Sequence, residues 1–460
     1  MMRETCYIVY SLYHTVDCTS RRIVSGTCPP QSTAASETRP GPLPRIRLSV
    51  TPRALKKHPA RHNNVTRKDT ARMLKDVYDY YSHDDWTQMK AEMDRHETPF
   101  LIVNLNIIRR NYEALRNLYP FAHIYYAVKA NPAPEVLTVL RDMGSCFDIA
   151  SVYELDQILA LGVSPDRISY GNTIKKAKDI AYAYGRGVRL FTTDSEADIR
   201  NLAQYAPGSR VACRILTEGG ETAEWPLSRK FGCHPDLAID LIMLAKGLGL
   251  NPCGVSFHVG SQQRDIGAWD SAISKVRYIF DYLAGQGVSL SLVNMGGGFP
   301  VKYISKTSTP RVYAEEITRY LNEDFPNGLP EIILEPGRSL VAESGVLVTE
   351  VVLVSKKSNV GVDKWVYLDT GLFNGLIETI GESIKYPLYS DAEGNPSDNF
   401  VIAGPTCDSQ DIMYEKYRNS LPDGIKPGDR VYWLTTGAYT ASYCSVCFNG
   451  FPPLKTYFVK

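Results

Sequence analysis

The chain has 460 residues, 44% hydrophobic and 22% charged, which is enough apolar material for a large core and too much length for one ordinary domain. Nowhere do the eighteen or so apolar residues of a membrane-spanning helix run together, so a soluble, cytoplasmic protein with no membrane partner is expected. The net charge of +1 hides a basic start, 12 Lys/Arg against 4 Asp/Glu in residues 1–70, and a body of 39 against 46, a balance that suits a small cationic ligand better than nucleic acid.

Residues 1–70 are rich in Ser, Thr, Pro and Arg without a sustained apolar period, and are predicted to be a disordered extension. Few acids among many Arg and Ser is also a transit-peptide composition, but Glu4 and the lack of an amphipathic Arg helix favour a plain extension or an upstream start. Asn64-Val65-Thr66 is read as a chance glycosylation pattern. Residues 71–97 are expected to pack against a later β domain or to lend it a strand.

From about 98 to 340, short apolar runs alternate with helical stretches. The candidate strands are Tyr125–Val128, Phe147–Ile149, Ile168–Tyr170, Leu190–Thr192, Val211–Ile215, Gly254–Phe257, Leu292–Asn294 and Ile332–Leu334. Eight βα units in this length predict a closed (β/α)₈ barrel. Beyond 341 the text turns β-rich (GVLVTEVVLVSKK, FVIAGPTC, DRVYWLTTGAYT), so residues 341–460 are predicted to form a second, mainly β domain. Ten cysteines in such a chain make no disulfide framework, and Cys444-x-x-Cys447 without a second pair reads as packing rather than a metal or redox site.

Barrel enzymes carry their chemistry just past the carboxyl ends of the strands, and there the sequence places Lys129, Asp148, Asn172, Asp194, His258, Gly296-Gly297-Gly298 and Glu335. Lys129 follows four apolar residues in YYAVKAN, so its amine is expected at a partly dry wall that lowers its pKa and favours attack on an aldehyde. The glycine triplet lets backbone N–H groups approach an anion such as a phosphate, and Ser261 in FHVGSQ can add a hydroxyl. His258 has the shape to stack on a flat ring, and Glu335 in EPGR can face a pyridine nitrogen and keep it protonated, the state in which the ring serves as an electron sink.

These motifs, YAVKAN, FDIAS, FHVGS, GGGFP, EPGR, GPTCDS and GAYT, occur in one order over residues 98–452. In that order and spacing the chain resembles the alanine-racemase-like, fold-type III decarboxylases that use pyridoxal 5'-phosphate, and within them the bacterial ornithine/lysine decarboxylases. The resemblance implies that Lys129 carries the cofactor and that His258 stacks on its ring. It makes Ser261, Gly297, Gly298, Arg338 and Tyr439 phosphate contacts and Glu335 the partner of the ring nitrogen. Asp148, Glu154 and Arg167 fall where the family keeps charged residues supporting the pocket. Cys407 and Asp408 look like the pair that enters the neighbouring subunit's site, implying a homodimer with shared active sites; Cys407 would reprotonate the α-carbon and Asp408 would hold the distal ammonium. Read without the family, Cys407 is a buried thiol and Asp408 a turn residue.

Glu335 argues for decarboxylation, because the family's racemases meet the ring nitrogen with arginine. The expected activity is conversion of L-ornithine, and also L-lysine, to putrescine and cadaverine in polyamine biosynthesis. Asp408, where diaminopimelate decarboxylases carry Glu, favours a simple diamino acid; arginine or diaminopimelate decarboxylation remains the alternative within the fold. Glu378 and Thr379 stand where eukaryotic ornithine decarboxylases have Tyr-Asp, and both are candidate substrate contacts. One methylene is worth only about 1–3 kcal/mol in a pocket, so ornithine against lysine stays open. Asn294 replaces the Asp usual before the glycine triplet. An inactive regulator such as an antizyme inhibitor would be marked by loss of the lysine or of Cys-Asp, whereas Lys129, Cys407 and Asp408 are all present.

Overall fold

The apolar runs between residues 122 and 334 close on themselves. The computed structural model describes residues 76–218, 222–225, 230–397, 400–445 and 453–460; the extension expected over 1–70, its sequon and Cys447 lie outside the described residues. The described chain opens with α1 (His83–Met93), β1 (Phe100–Asn104) and α2 (Leu105–Leu118). There follow β2 (Ala122–Ala127), α3 (Pro134–Asp142), β3 (Cys146–Ile149), α4 (Val152–Ala160), β4 (Ile168–Tyr170), α5 (Ala177–Gly185), β5 (Leu190–Thr193) and α6 (Glu196–Tyr205). Next come β6 (Arg210–Arg214), β7 (Ala223–Trp225), α7 (Pro235–Gly247), β8 (Asn251–Ser256), β9 (Ser261–Gln263), α8 (Gly267–Gly285), β10 (Leu292–Asn294), α9 (Pro310–Asp324), β11 (Glu331–Leu334) and α10 (Arg338–Val341).

Strands β2 to β6, β8, β10 and β11 pair in parallel in that order, and β11 pairs back onto β2, closing the predicted barrel. Strand periodicity explains its two-sided burial: on β2, Ile124 and Tyr126 join the large core under the helices, while Tyr125 joins a separate cluster with Leu190, Ala212, Cys253, Leu292 and Ile333. β7 and β9 form a two-stranded ribbon outside the barrel.

The remaining elements are β12 (Gly345–Lys356), β13 (Lys364–Leu368), β14 (Leu388–Tyr389), β15 (Pro396–Ser397), β16 (Phe400–Ala403), β17 (Ile412–Tyr414), β18 (Leu421–Pro422), β19 (Arg430–Leu434) and β20 (Lys455–Val459). The main sheet of this second domain runs β14-β19-β12-β13-β16-β17. β1 corrects the expected barrel span of 98–340: it pairs antiparallel with β12 and parallel with β20, so it belongs to the second sheet. Its five residues are all buried, and such a run reads alike in a barrel or a sheet, so local sequence does not distinguish them. Trp86, Met89 and Met93 of α1 cluster with Phe100, Ile102, Val346, Val348, Tyr432 and Leu434, laying the helix on this sheet. Among the described residues no helix is long and apolar enough to cross a membrane.

Candidate active site

β2 ends at Ala127 and the chain tightens into one 3₁₀ turn, Val128–Ala130, which puts Lys129 on the carboxyl rim of the barrel. The turn is held from the second domain, because Ser442 Oγ donates to the Lys129 carbonyl at 3.1 Å and the Tyr439 N–H donates to that of Ala130 at 2.8 Å. The Lys129 side chain is half exposed into a cavity, with Nζ 3.5 Å from Asp148 Oδ2. Here the expected lowering of its pKa is corrected. Burial does act to lower it, but Asp148, Tyr439, Glu335 and Glu154 outweigh burial and hold the amine above its ordinary value. Asp148, the last but one residue of β3, is pushed up to about 8 by burial and then by Glu335, against the pull of Lys129. Its Oδ1 is buried with no hydrogen-bond partner among the described residues.

His258 follows β8. The Gly260 N–H donates to Nδ1 at 3.0 Å, which leaves Nε2 to carry the proton of a neutral ring. Burial, then Arg214 and Lys129, push its pKa down to about 3, so the imidazole presents an uncharged face. Glu335 follows β11 directly; its N–H donates to the Gly296 carbonyl at 2.7 Å, and its Oε1 accepts from Asn294 Nδ2 at 2.5 Å.

Between these walls a narrower recess is lined by Ser261, Gly297, Gly298, Arg338 and Tyr439 together with Lys129 and His258. Its floor admits only glycine: a Cβ on Gly297 would lie 2.5 Å from the Glu335 carbonyl oxygen, and one on Gly298, at φ +96°, 2.4 Å from that of Gly260. Arg338 is buried and donates to Ser261 Oγ from Nε (3.2 Å) and Nη2 (3.1 Å), and to Tyr303 Oη from Nη1 (3.0 Å). It is also gripped in a two-pronged pair by Glu378, at 2.6 and 2.8 Å. Glu378, expected to touch substrate, therefore has both oxygens on Arg338, with Tyr386 Oη donating to one of them at 3.2 Å. Thr379 is likewise corrected: it is fully buried and its hydroxyl donates to the Leu376 carbonyl, away from the cavity.

Arg167 is corrected as well. It sits before β4, at the amino end of the barrel, and Nη2 donates to the carbonyls of Arg141 and Ser145, on the rim opposite Lys129. Glu154 supports the pocket from behind, where its carboxylate accepts from the Ala150 N–H at 2.6 Å. Asn172 lines the cavity, whereas the Asp194 carboxylate accepts from the Gly232 N–H. Cys407 is exposed, not buried, and Asp408 beside it is exposed too, its carboxylate accepting from the Gln410 N–H at 2.8 Å in a turn between β16 and β17; neither lines this chain's cavity. Reading the sequence missed Arg214, Trp225, Phe231 and Tyr443, all of which line the cavity. Arg214 left a signal, a charge at the end of an apolar strand, but the aromatic residues come from a ribbon and loops that no periodicity announces.

The cavity measures about 350 Å³, room for a small cofactor and substrate. An amine, an orphaned carboxylate oxygen, a neutral flat imidazole and a glycine-floored recess with hydroxyls and a guanidinium fit an aldehyde on a phosphorylated pyridine. Residues 105–342, more than half the chain, match the profile of the pyridoxal-dependent decarboxylases, pyridoxal binding domain. The chain belongs to this family. Among its relatives is the lysine/ornithine decarboxylase of Selenomonas ruminantium, 33% identical over 79% of this chain and 90% of that protein. The ornithine decarboxylase of Schizosaccharomyces pombe is 36% identical over 76% and 81%. The structure of the Vibrio vulnificus lysine/ornithine decarboxylase complexed with cadaverine superposes with a TM-score of 0.72 at 29% identity, covering 82% of this chain and 99% of that one. Arginine decarboxylase and antizyme inhibitor also occur among the names of its relatives. This pyridoxal-dependent decarboxylase is thus a carboxy-lyase with pyridoxal phosphate as its cofactor.

Proposed function

We propose that this decarboxylase acts on L-ornithine, with L-lysine as a second substrate, releasing CO₂ and leaving putrescine or cadaverine, as a homodimer with shared active sites. The observation that carries the shared site is that, among the described residues, each carboxylate lining the cavity has at least one oxygen turned to a partner: Asp148 faces Lys129, Glu335 faces Asn294 and Glu378 faces Arg338. A diamino acid's distal ammonium would then be met by an acid from outside this set, since Asp148 is turned to the amine of Lys129. Exposed Asp408, beside Cys407, is suited to supply it to a second copy of the chain.

When bound, pyridoxal phosphate supplies the electron sink for the bond to CO₂. Around it, the Lys129 amine, at the mouth of the cavity beside Asp148, would be the group that holds the cofactor's aldehyde end. Ser261, Gly297, Gly298, Arg338 and Tyr439 hold the phosphate. His258 covers the ring face, where a neutral imidazole avoids cation–cation repulsion with a protonated ring. Glu335 would accept a hydrogen bond from the protonated ring nitrogen and so keep it charged, and Cys407 from the second copy would be the proton donor on the substrate's side. The relatives named for ornithine and for lysine support the choice of substrates. Turnover on ornithine, lysine, arginine and diaminopimelate tests it: release of CO₂ fastest from ornithine is expected, and preference for arginine or diaminopimelate would overturn it.

A further inference from the structure

At the end of β10, Asn294 is 2% exposed, and its side chain lies between two groups that fix its orientation. The Gly296 N–H can only donate, and it reaches Asn294 Oδ1 at 2.9 Å. The other end of the amide, Nδ2, therefore faces Glu335, and it donates to Oε1 at 2.5 Å. Gly296 itself is held at φ +62°, a conformation open to glycine, and its carbonyl accepts from the Glu335 N–H, so the three residues form a closed unit.

We propose that Asn294 is a positioning residue for Glu335, pinning one carboxylate oxygen with an amide proton that never titrates so that the other is presented to the ring nitrogen. The proposal rests on the reading of Glu335 as the ring-nitrogen partner. Aspartate, the residue usual here in the family the sequence resembles, would keep the contact to Gly296 but set a second carboxylate against Glu335. Two carboxylates at that separation share a proton, and that proton is gained and lost with pH. An amide makes the same bridge without it, so the bridge to Glu335 adds no titration of its own. The other charged groups bearing on Glu335 are Lys129 from the end of β2, Asp148 from β3 and Arg214 from β6, with neutral His258 beside them. These are identical in wild type and variants, so any new titration belongs to position 294.

The test uses holoenzyme of wild type, Asn294→Asp, Asn294→Ala and Glu335→Gln, following the visible band of the bound cofactor, kcat and KM from acid to alkaline pH. Asn294→Asp, which keeps size and shape, is expected to add a titration to both the band and kcat that the wild type lacks. Asn294→Ala is expected to lower kcat about 10- to 100-fold, the usual scale for an outer hydrogen-bond partner of a reacting group, with KM little changed and no added titration. Asn294→Asp titrating as the wild type does, or folded Asn294→Ala with unchanged kcat, overturns the proposal; should Asn294→Asp not fold, the kcat of Asn294→Ala decides. Wild-type behaviour of Glu335→Gln instead removes the reading of Glu335, a separate failure.

Discussion

The buried pair beneath the phosphate recess gives the sharpest prediction about how the cofactor site is held. Arg338 and Glu378 are 4% and 3% exposed and joined by two hydrogen bonds. In Glu378→Ala the guanidinium stays buried with only Ser261 and Tyr303 as partners. Removing one member of a buried ion pair costs about 3–5 kcal/mol, because the other is left desolvated and uncompensated. The surviving contacts place the apoprotein loss near the lower end, about 3 kcal/mol. The freed cation should then meet the cofactor phosphate directly, so pyridoxal phosphate should raise the stability of Glu378→Ala more than that of the wild type, by the linkage between tighter binding and folding. Urea unfolding midpoints of both proteins, with and without pyridoxal phosphate, measure each effect. An unchanged apoprotein midpoint, or the same cofactor increment in both proteins, refutes the reasoning.

Lys129→Ala should lose the visible band of the bound cofactor and CO₂ release; undiminished turnover would remove the assigned chemistry. Mixing Lys129→Ala and Cys407→Ala subunits tests the shared sites: random re-pairing makes half the dimers mixed, each with one intact site, so about a quarter of wild-type activity should return, against none if each chain works alone. Gly298→Ala should weaken pyridoxal phosphate binding in a fluorescence titration, because its Cβ would meet the Gly260 carbonyl at 2.4 Å. His258 has a folded pKa of about 3 against an ordinary 6.5, so the unfolded chain binds a proton the folded one refuses between those values. Stability is therefore lost as pH falls through that window, and the acid limb of the melting-temperature profile should be shallower in His258→Asn.

The sequence by itself determined the barrel, because each strand's apolar run is a local pattern and eight in series admit few closures. It also put Lys129, Asp148, His258, the glycine triplet and Glu335 on one rim, since the polar residue after a strand falls there whichever neighbours the strand takes. Arg167 was misplaced because its place rested on the family resemblance alone, whereas its position directly before the strand Ile168–Tyr170 puts it at the amino end of the barrel. Only the tertiary structure decided that Phe100–Asn104 joins the second sheet, since pairing with strands some 240 and 350 residues later leaves no local trace. Only it decided that Glu378 faces Arg338 and Thr379 faces the wall, and that three carboxylates and the Tyr439 phenol, brought together from separate parts of the chain, hold the Lys129 pKa up against its burial. Electrostatics of that kind depends on distances between groups remote in sequence, and folding alone sets them.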